Sequence, residues 1–282
     1  MTAVAREVVA VRDDDSPDDP DQNSQARWAR TLNPGPFRTW VGRGWSITKR
    51  HPLWALFPLA IGLLAALPIV EALGHEDVAV YPVGSFPGPI VDLWTVVAVP
   101  SDGFAVLLHP GAVAMLTLPV VVIGLFAGAY LGGLNDLLDH RRPSLWRNAR
   151  QFGVPVALYT MLWGVAAAAV TAFLSLSLPA GAVAGVGFMT VTYRLWATPY
   201  LIVATGATLP EAFRRAWHLS GGPGPYRQLS AYVLATTLVL AAPRLYGVLI
   251  GTRIGLAVSA VVLAPVAMVL TVATLGFVRS LT

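Results

Sequence analysis

Residues 112–134 read AVAMLTLPVVVIGLFAGAYLGGL, a run of 23 positions without one charged side chain. A helix of about 20 apolar residues crosses the hydrocarbon core of a bilayer. Gly124, Gly128 and Gly132 recur every four positions within it. That spacing lines one helix face with the smallest residue and lets a second backbone approach closely, the usual means of helix association in lipid. Five further stretches of similar length and character accompany this one: Leu53–Leu73, Gly153–Leu174, Ala180–Val203, Gln228–Ile250 and Leu256–Val278. The fold class that follows is all-α: a polytopic membrane helical bundle of six transmembrane helices, with cytoplasmic interfacial amphipathic helices.

Composition points the same way. The chain has 282 residues, 55% of them hydrophobic and only 12% charged, against a charged share of about 25% in soluble domains. So few charges cannot cover a water-soluble globule of this size. Zero cysteines exclude disulfides, thiolate metal sites and cysteine nucleophiles.

The short connections set the orientation. Sixteen basic residues fall before the first span, in the even-numbered loops and after the last span, one (Arg253) falls on the opposite side, and Arg194 and Arg244 lie within spans. Positive loops stay cytoplasmic, so the expectation is a multi-pass cell-membrane protein with both termini inside. The same distribution accounts for the net charge of +4 without nucleic acid as a partner. Of the outside loops, only residues 74–103 are long; they contain four acids and no Lys or Arg. Its apolar run Ile90–Val99 is too short to span, and is expected to be interfacial, re-entrant or packed on helix ends. The tight outside turns Ser175–Pro179 and Gly251–Gly255 make spans three and four, and five and six, antiparallel neighbours.

Two units are expected: residues 1–33 as a disordered acidic cytoplasmic tail, and residues 34–282 as the six-helix transmembrane domain. The tail carries six Asp between Asp13 and Asp21, broken by Pro17 and Pro20, which cannot bury a core and repel one another. Residues 36–50 place Phe37, Trp40, Val41, Gly44, Trp45 and Thr48 on one helical face with Arg38, Arg43, Lys49 and Arg50 flanking it, the pattern of a helix lying in the membrane interface. Similar aromatic and basic segments, Leu145–Phe152 and Glu211–Leu219, precede spans three and five. The chain therefore reads either as three copies of an interfacial helix plus a hairpin, or as a bundle with ordinary basic juxtamembrane segments.

Ionisable residues within the bilayer are functional candidates by default. Here they are Arg194, deep in span four, and Arg244 and Glu71, which fall in the outer thirds of their spans and can pair. Prolines interrupt five spans (Pro58 and Pro68, Pro119, Pro199, Pro243, Pro265), and broken helices build transporter sites. A second glycine stripe, Gly247, Gly251 and Gly255, repeats the packing signal. No catalytic set, cofactor site or metal site emerges. The five His are scattered, the adjacent His75, Glu76 and Asp77 rarely converge on one ion, and Asp136 and Asp139 beside His140 read as a solvated loop.

One stretch carries a resemblance. Tyr193-Arg194-Leu195-Trp196-Ala197-Thr198-Pro199-Tyr200, followed by Leu209-Pro210-Glu211-Ala212-Phe213-Arg214-Arg215-Ala216-Trp217 and Gly221-Gly222, resembles a prokaryotic six-helix integral membrane protein family. That family is similar to the membrane domain accompanying some glycerophosphoryl diester phosphodiesterases. Its pattern is an Arg in the fourth span, a Pro near the span's end, then an amphipathic Glu-Ala-(Leu/Phe)-x-x-Ser-Trp helix and a Gly. Arg194, Pro199, Glu211, Ala212, Phe213, Trp217 and Gly221 match. The acid often found just after the span is missing around Thr205, and Ala216 replaces the usual Ser. The resemblance implies a membrane-embedded, non-catalytic domain whose interfacial helix motif is Glu211, Phe213, Arg214, Arg215 and Trp217. The expected role is a scaffold or lipid-associated envelope component. The alternative is a small transporter or permease subunit that uses the proline-broken helices and Arg194. The expected partners are membrane lipids, with a second membrane protein or a second copy of the chain left open.

Overall fold

Among the described residues the first helix is Phe37–Arg50 (α1), an amphipathic segment whose last turn ends in Lys49 and Arg50, where cations oppose the helix dipole favourably. Pro52, which cannot continue the ladder, opens a single 3-10 turn, Pro52–Ala55. Then come α2 (Leu56–Ala72), β1 (Val78–Val83), β2 (Thr95–Pro100) and α3 (Pro110–Leu138). A short α4 (Leu145–Asn148) passes through a π-helical turn, Ala149–Gly153, into α5 (Val154–Leu176). The chain continues through α6 (Leu178–Leu195), α7 (Thr198–Thr205), α8 (Leu209–Gly221) and α9 (Arg253–Ser280). This computed structural model describes residues 37–72, 78–83, 95–100, 110–221, 224, 226–231 and 253–282. The acidic tail, the His75–Asp77 cluster, most of the expected fifth span with Arg244 and Pro243, and Gly247 and Gly251 lie outside the described residues.

Among the described residues, three helical stretches are long and apolar enough to cross a membrane: Val120–Leu138, Leu145–Leu174 and Val261–Ser280, with a shorter apolar helix at Pro52–Leu64. The last helix, α9, is the centre of the bundle. It packs against α1, α2, α3 and α7, and Met268, Val272, Ala273, Leu275 and Val278 on it are fully enclosed.

The glycine stripe of α3 meets α5 and the segment before it. A Cβ on Gly124 would collide with Ala157, one on Gly128 would lie 2.6 Å from the Phe152 carbonyl oxygen, and one on Gly132 would lie 2.7 Å from Asn148 Cβ. Ascending numbers on α3 meet descending numbers on its neighbour, so the two run antiparallel in backbone-to-backbone contact. For the second stripe, only the backbone of Gly255 is described.

Three expectations change on contact with the structure. Leu145–Phe152 is not a separate interfacial segment; it is helically continuous with α5, because the π turn Ala149–Gly153 absorbs the register change against Gly128 and Gly132. Trp45 leaves the apolar face of α1. Here Gly44 seats on Val269, where an added Cβ would be 2.6 Å from the carbonyl oxygen, and Trp40 covers Gly276. Phe37 meets Phe277 edge-on at 6.0 Å. That contact face takes in Ile47 and Thr48, and rotates Trp45 outward beneath Lys49, whose Nζ lies 5.3 Å from the indole centroid.

The third change adds strand to an otherwise helical chain. β1 and β2 pair antiparallel, Val78 opposite Pro100 and Val83 opposite Thr95. The second half of the Ile90–Val99 run is thus a strand, for which the β-branched Thr95, Val96, Val97 and Val99 are suited.

Candidate functional site

The expected fourth span is broken. α6 ends at Leu195 and α7 begins at Thr198, with Pro199 in its first turn. Pro199 has no N–H to give the Leu195 carbonyl four residues earlier, and it disfavours helical backbone at the residue before it. In a membrane bundle a carbonyl so released must find another donor. Tyr159 on α5 supplies one: its hydroxyl donates to the Leu195 carbonyl at 3.2 Å. Tyr226 donates its hydroxyl to the Tyr193 carbonyl at 3.3 Å. Burial pushes the Tyr226 phenol well above the ordinary tyrosine range, so it stays a neutral donor. Trp196 fills the junction, its indole N–H donating to Ser230 Oγ at 3.2 Å and its ring 5.9 Å from Tyr200. Trp196, Ala197, Tyr200 and Leu201 have no exposed surface. The break is packed and largely satisfied.

α7 closes on Gly206 with φ +68°, the left-handed cap that glycine adopts without a Cβ penalty. The chain then turns back as α8, which lies against both α6 and α7. Its buried stripe is Ala212, Ala216 and Ser220. Small residues at four-residue spacing allow the close approach, and Ala212 and Ala216 are fully buried.

This return brings the end of α8 to Arg194. The guanidinium, half-buried, lies 5.1 Å from the Trp217 ring centroid, and its Nη1 donates to Ser220 Oγ at 3.5 Å. Ser220 spends its own proton on the Trp217 carbonyl at 2.8 Å, so it meets Arg194 through a lone pair.

Of the other motif residues, Glu211 accepts from Arg215 at 2.5 Å on the exposed side of α8, one turn apart, and is not the partner of Arg194. Phe213 points back to α5, its ring 6.2 Å from Tyr159. Arg214 is exposed, and Trp217 is 52% exposed. Glu71 falls in α2, with its side chain outside the described residues along with Arg244, so their pairing is not observed.

A second polar cluster was misread from sequence. Asp136 is not in a solvated loop; it is buried on the last turn of α3 and accepts from Arg147 at 2.8 and 2.9 Å and from Asn148 at 2.8 Å. Asp139 accepts from Arg279 at 2.7 Å, and Arg43 reaches the Leu138 carbonyl at 3.4 Å. Asp136 is held by Arg147 and Asn148, which lie just before the π turn, and Asp139 by Arg279 at the end of α9, pairings no periodicity argument anticipates. An Asp pair one turn apart, followed within a dozen residues by Arg and Asn, was the available signal.

Chemically, the Arg194 site offers a cation, a hydroxyl acceptor and an indole face. Such a set recognises an anion; it contains no acid–base pair. No family model, curated protein or solved structure matches this chain.

Proposed function

We propose that this chain is a six-span, non-catalytic protein of the cell membrane with both termini cytoplasmic, acting as a scaffold in contact with membrane lipids. The family resemblance at Arg194, Pro199, Glu211 and Trp217 belongs to this reading. The observation that carries it is the filled helix break: Trp196, Ala197, Tyr200 and Leu201 leave no exposed surface where a permease needs an aqueous path. Tyr159 and Tyr226 occupy the carbonyls that a broken transporter helix would turn toward its cargo. Thr198 Oγ1 and the Tyr200 hydroxyl favour the second reading, a permease subunit, because both are enclosed without a hydrogen-bond partner among the described residues.

Cysteine labelling separates the two. The chain has no cysteine of its own, so Thr198→Cys places a single thiol beside the break. The scaffold reading expects a membrane-impermeant maleimide to label it from neither side until the protein is denatured. Labelling of the folded protein from either aqueous side would favour the permease.

Topology has its own test. Reporter fusions at residues 85 and 282 are expected to give opposite sidedness, outside and inside, as the 16-to-1 basic distribution requires. Matching sidedness would overturn the six-span arrangement.

A further inference from the structure

We infer that Arg194 holds the phosphate of an anionic phospholipid, in a site completed by Trp217 and Ser220. The inference rests on the membrane reading above and deepens it. A half-buried guanidinium in apolar surroundings needs an anion, because removing a cation from water without one is costly. Among the described residues no acid provides it. Residues 140–282 contain a single acid, Glu211, and Glu211 is held by Arg215. The acids at the end of α3 are taken as well, Asp136 by Arg147 and Asn148 and Asp139 by Arg279. Among the described residues, the hydrogen bonding of Arg194 comes down to one contact at 3.5 Å with a neutral hydroxyl.

What surrounds Arg194 suits a lipid headgroup. A guanidinium carries five N–H donors in a fork that matches phosphate oxygens two at a time. Trp217 flanks the cation while half exposed, and tryptophan concentrates at headgroup depth. On the other side lies Gly221, where even a Cβ would come to 3.3 Å of Nη1, so bare backbone bounds the approach. The surrounding end of the bundle is strongly basic, with Arg141, Arg142, Arg150 and Arg214 all exposed. The cytoplasmic leaflet, which this end would face, is the one rich in anionic lipid.

The test uses the full chain extracted from membranes in detergent and titrated with phosphatidylglycerol, phosphatidylcholine or inorganic phosphate, with retained lipid counted by native mass spectrometry. Phosphatidylglycerol should bind in preference to phosphatidylcholine. Arg194→Gln should weaken its retention about five-fold, the size of one basic contact to an anionic surface. Arg194→Lys, which keeps the charge and loses the fork, should fall between, and serves if the glutamine variant fails to fold. Arg214→Gln, which removes one exposed charge of the basic end and leaves Arg194, Trp217 and Ser220 in place, should weaken retention less than Arg194→Gln does; an equal loss would indicate a diffuse basic surface and overturn the site. Equal retention by Arg194→Gln and wild type would overturn the proposal, as would Arg194-dependent binding of inorganic phosphate as tight as that of the lipid. A several-fold rise in Arg194-dependent binding when Asp13, Asp14, Asp15, Asp18, Asp19 and Asp21 are changed to Asn would make the tail the resident anion, and would also overturn it. Recovery of the chain in the soluble fraction without detergent would refute the membrane reading itself, before any lipid is measured.

Discussion

Gly128→Ala is expected to pry α3 from α5 and to cost about 1–3 kcal/mol, the usual penalty for forcing atoms into a packed interior. The added methyl would lie 2.6 Å from the Phe152 carbonyl oxygen and 2.8 Å from Gly153 Cα. Both are backbone atoms, so no rotamer change makes room. Gly42→Ala gives the contrast. Nothing lies within 4 Å of a Cβ there, and removing a glycine from the interior of α1 should stabilise the helix by up to about 1 kcal/mol. Equilibrium unfolding of the detergent-purified variants measures both. Shifts of the same sign, or no loss at Gly128, would show that the α3–α5 contact does not depend on bare backbone.

The second large effect is expected at Asp136. Asp136→Ala should destabilise the protein by about 2–3 kcal/mol. Most of this comes from the Asn148 amide, which is buried at 2% exposure and loses its carboxylate acceptor; an orphaned buried donor costs about 1–3 kcal/mol. The Arg147 ion pair adds less than about 1 kcal/mol, since that side chain is 57% exposed and can turn to water. Removing both buried partners together, Asp136→Ala with Asn148→Ala, should recover part of the loss, because no orphan is then left behind. Strict additivity of the two single variants in the same unfolding assay would rule out the coupling.

Periodicity made the long helices legible, because an apolar run of membrane length has few other structures available to it. The stretch around residues 112–134 became α3, and its glycine stripe found the antiparallel backbone that such a stripe exists to meet. The amphipathic segment Glu211–Leu219 became the body of α8, with Arg214 and Arg215 exposed. What stayed hidden depends on contacts between distant segments. Pro199 marked an interruption of the fourth span, but not how it is met: the Leu195 carbonyl that Pro199 leaves without a donor accepts from Tyr159, 36 positions earlier. Sequence placed Arg194 deep in span four; its contacts with Trp217 and Ser220 required the return of α8 after Gly206. Asp136 is likewise held by Arg147 and Asn148, pairings that leave no mark in composition.

The central position of α9 also has a consequence in time. Phe37, Trp40 and Gly44 meet Phe277, Gly276 and Val269, which a ribosome working at roughly 5–20 residues per second makes about 10–50 s after α1. For that interval the face of α1 that α9 covers is without that seat. Docking of α1 is therefore paced by the arrival of α9, a helix made more than 200 residues later.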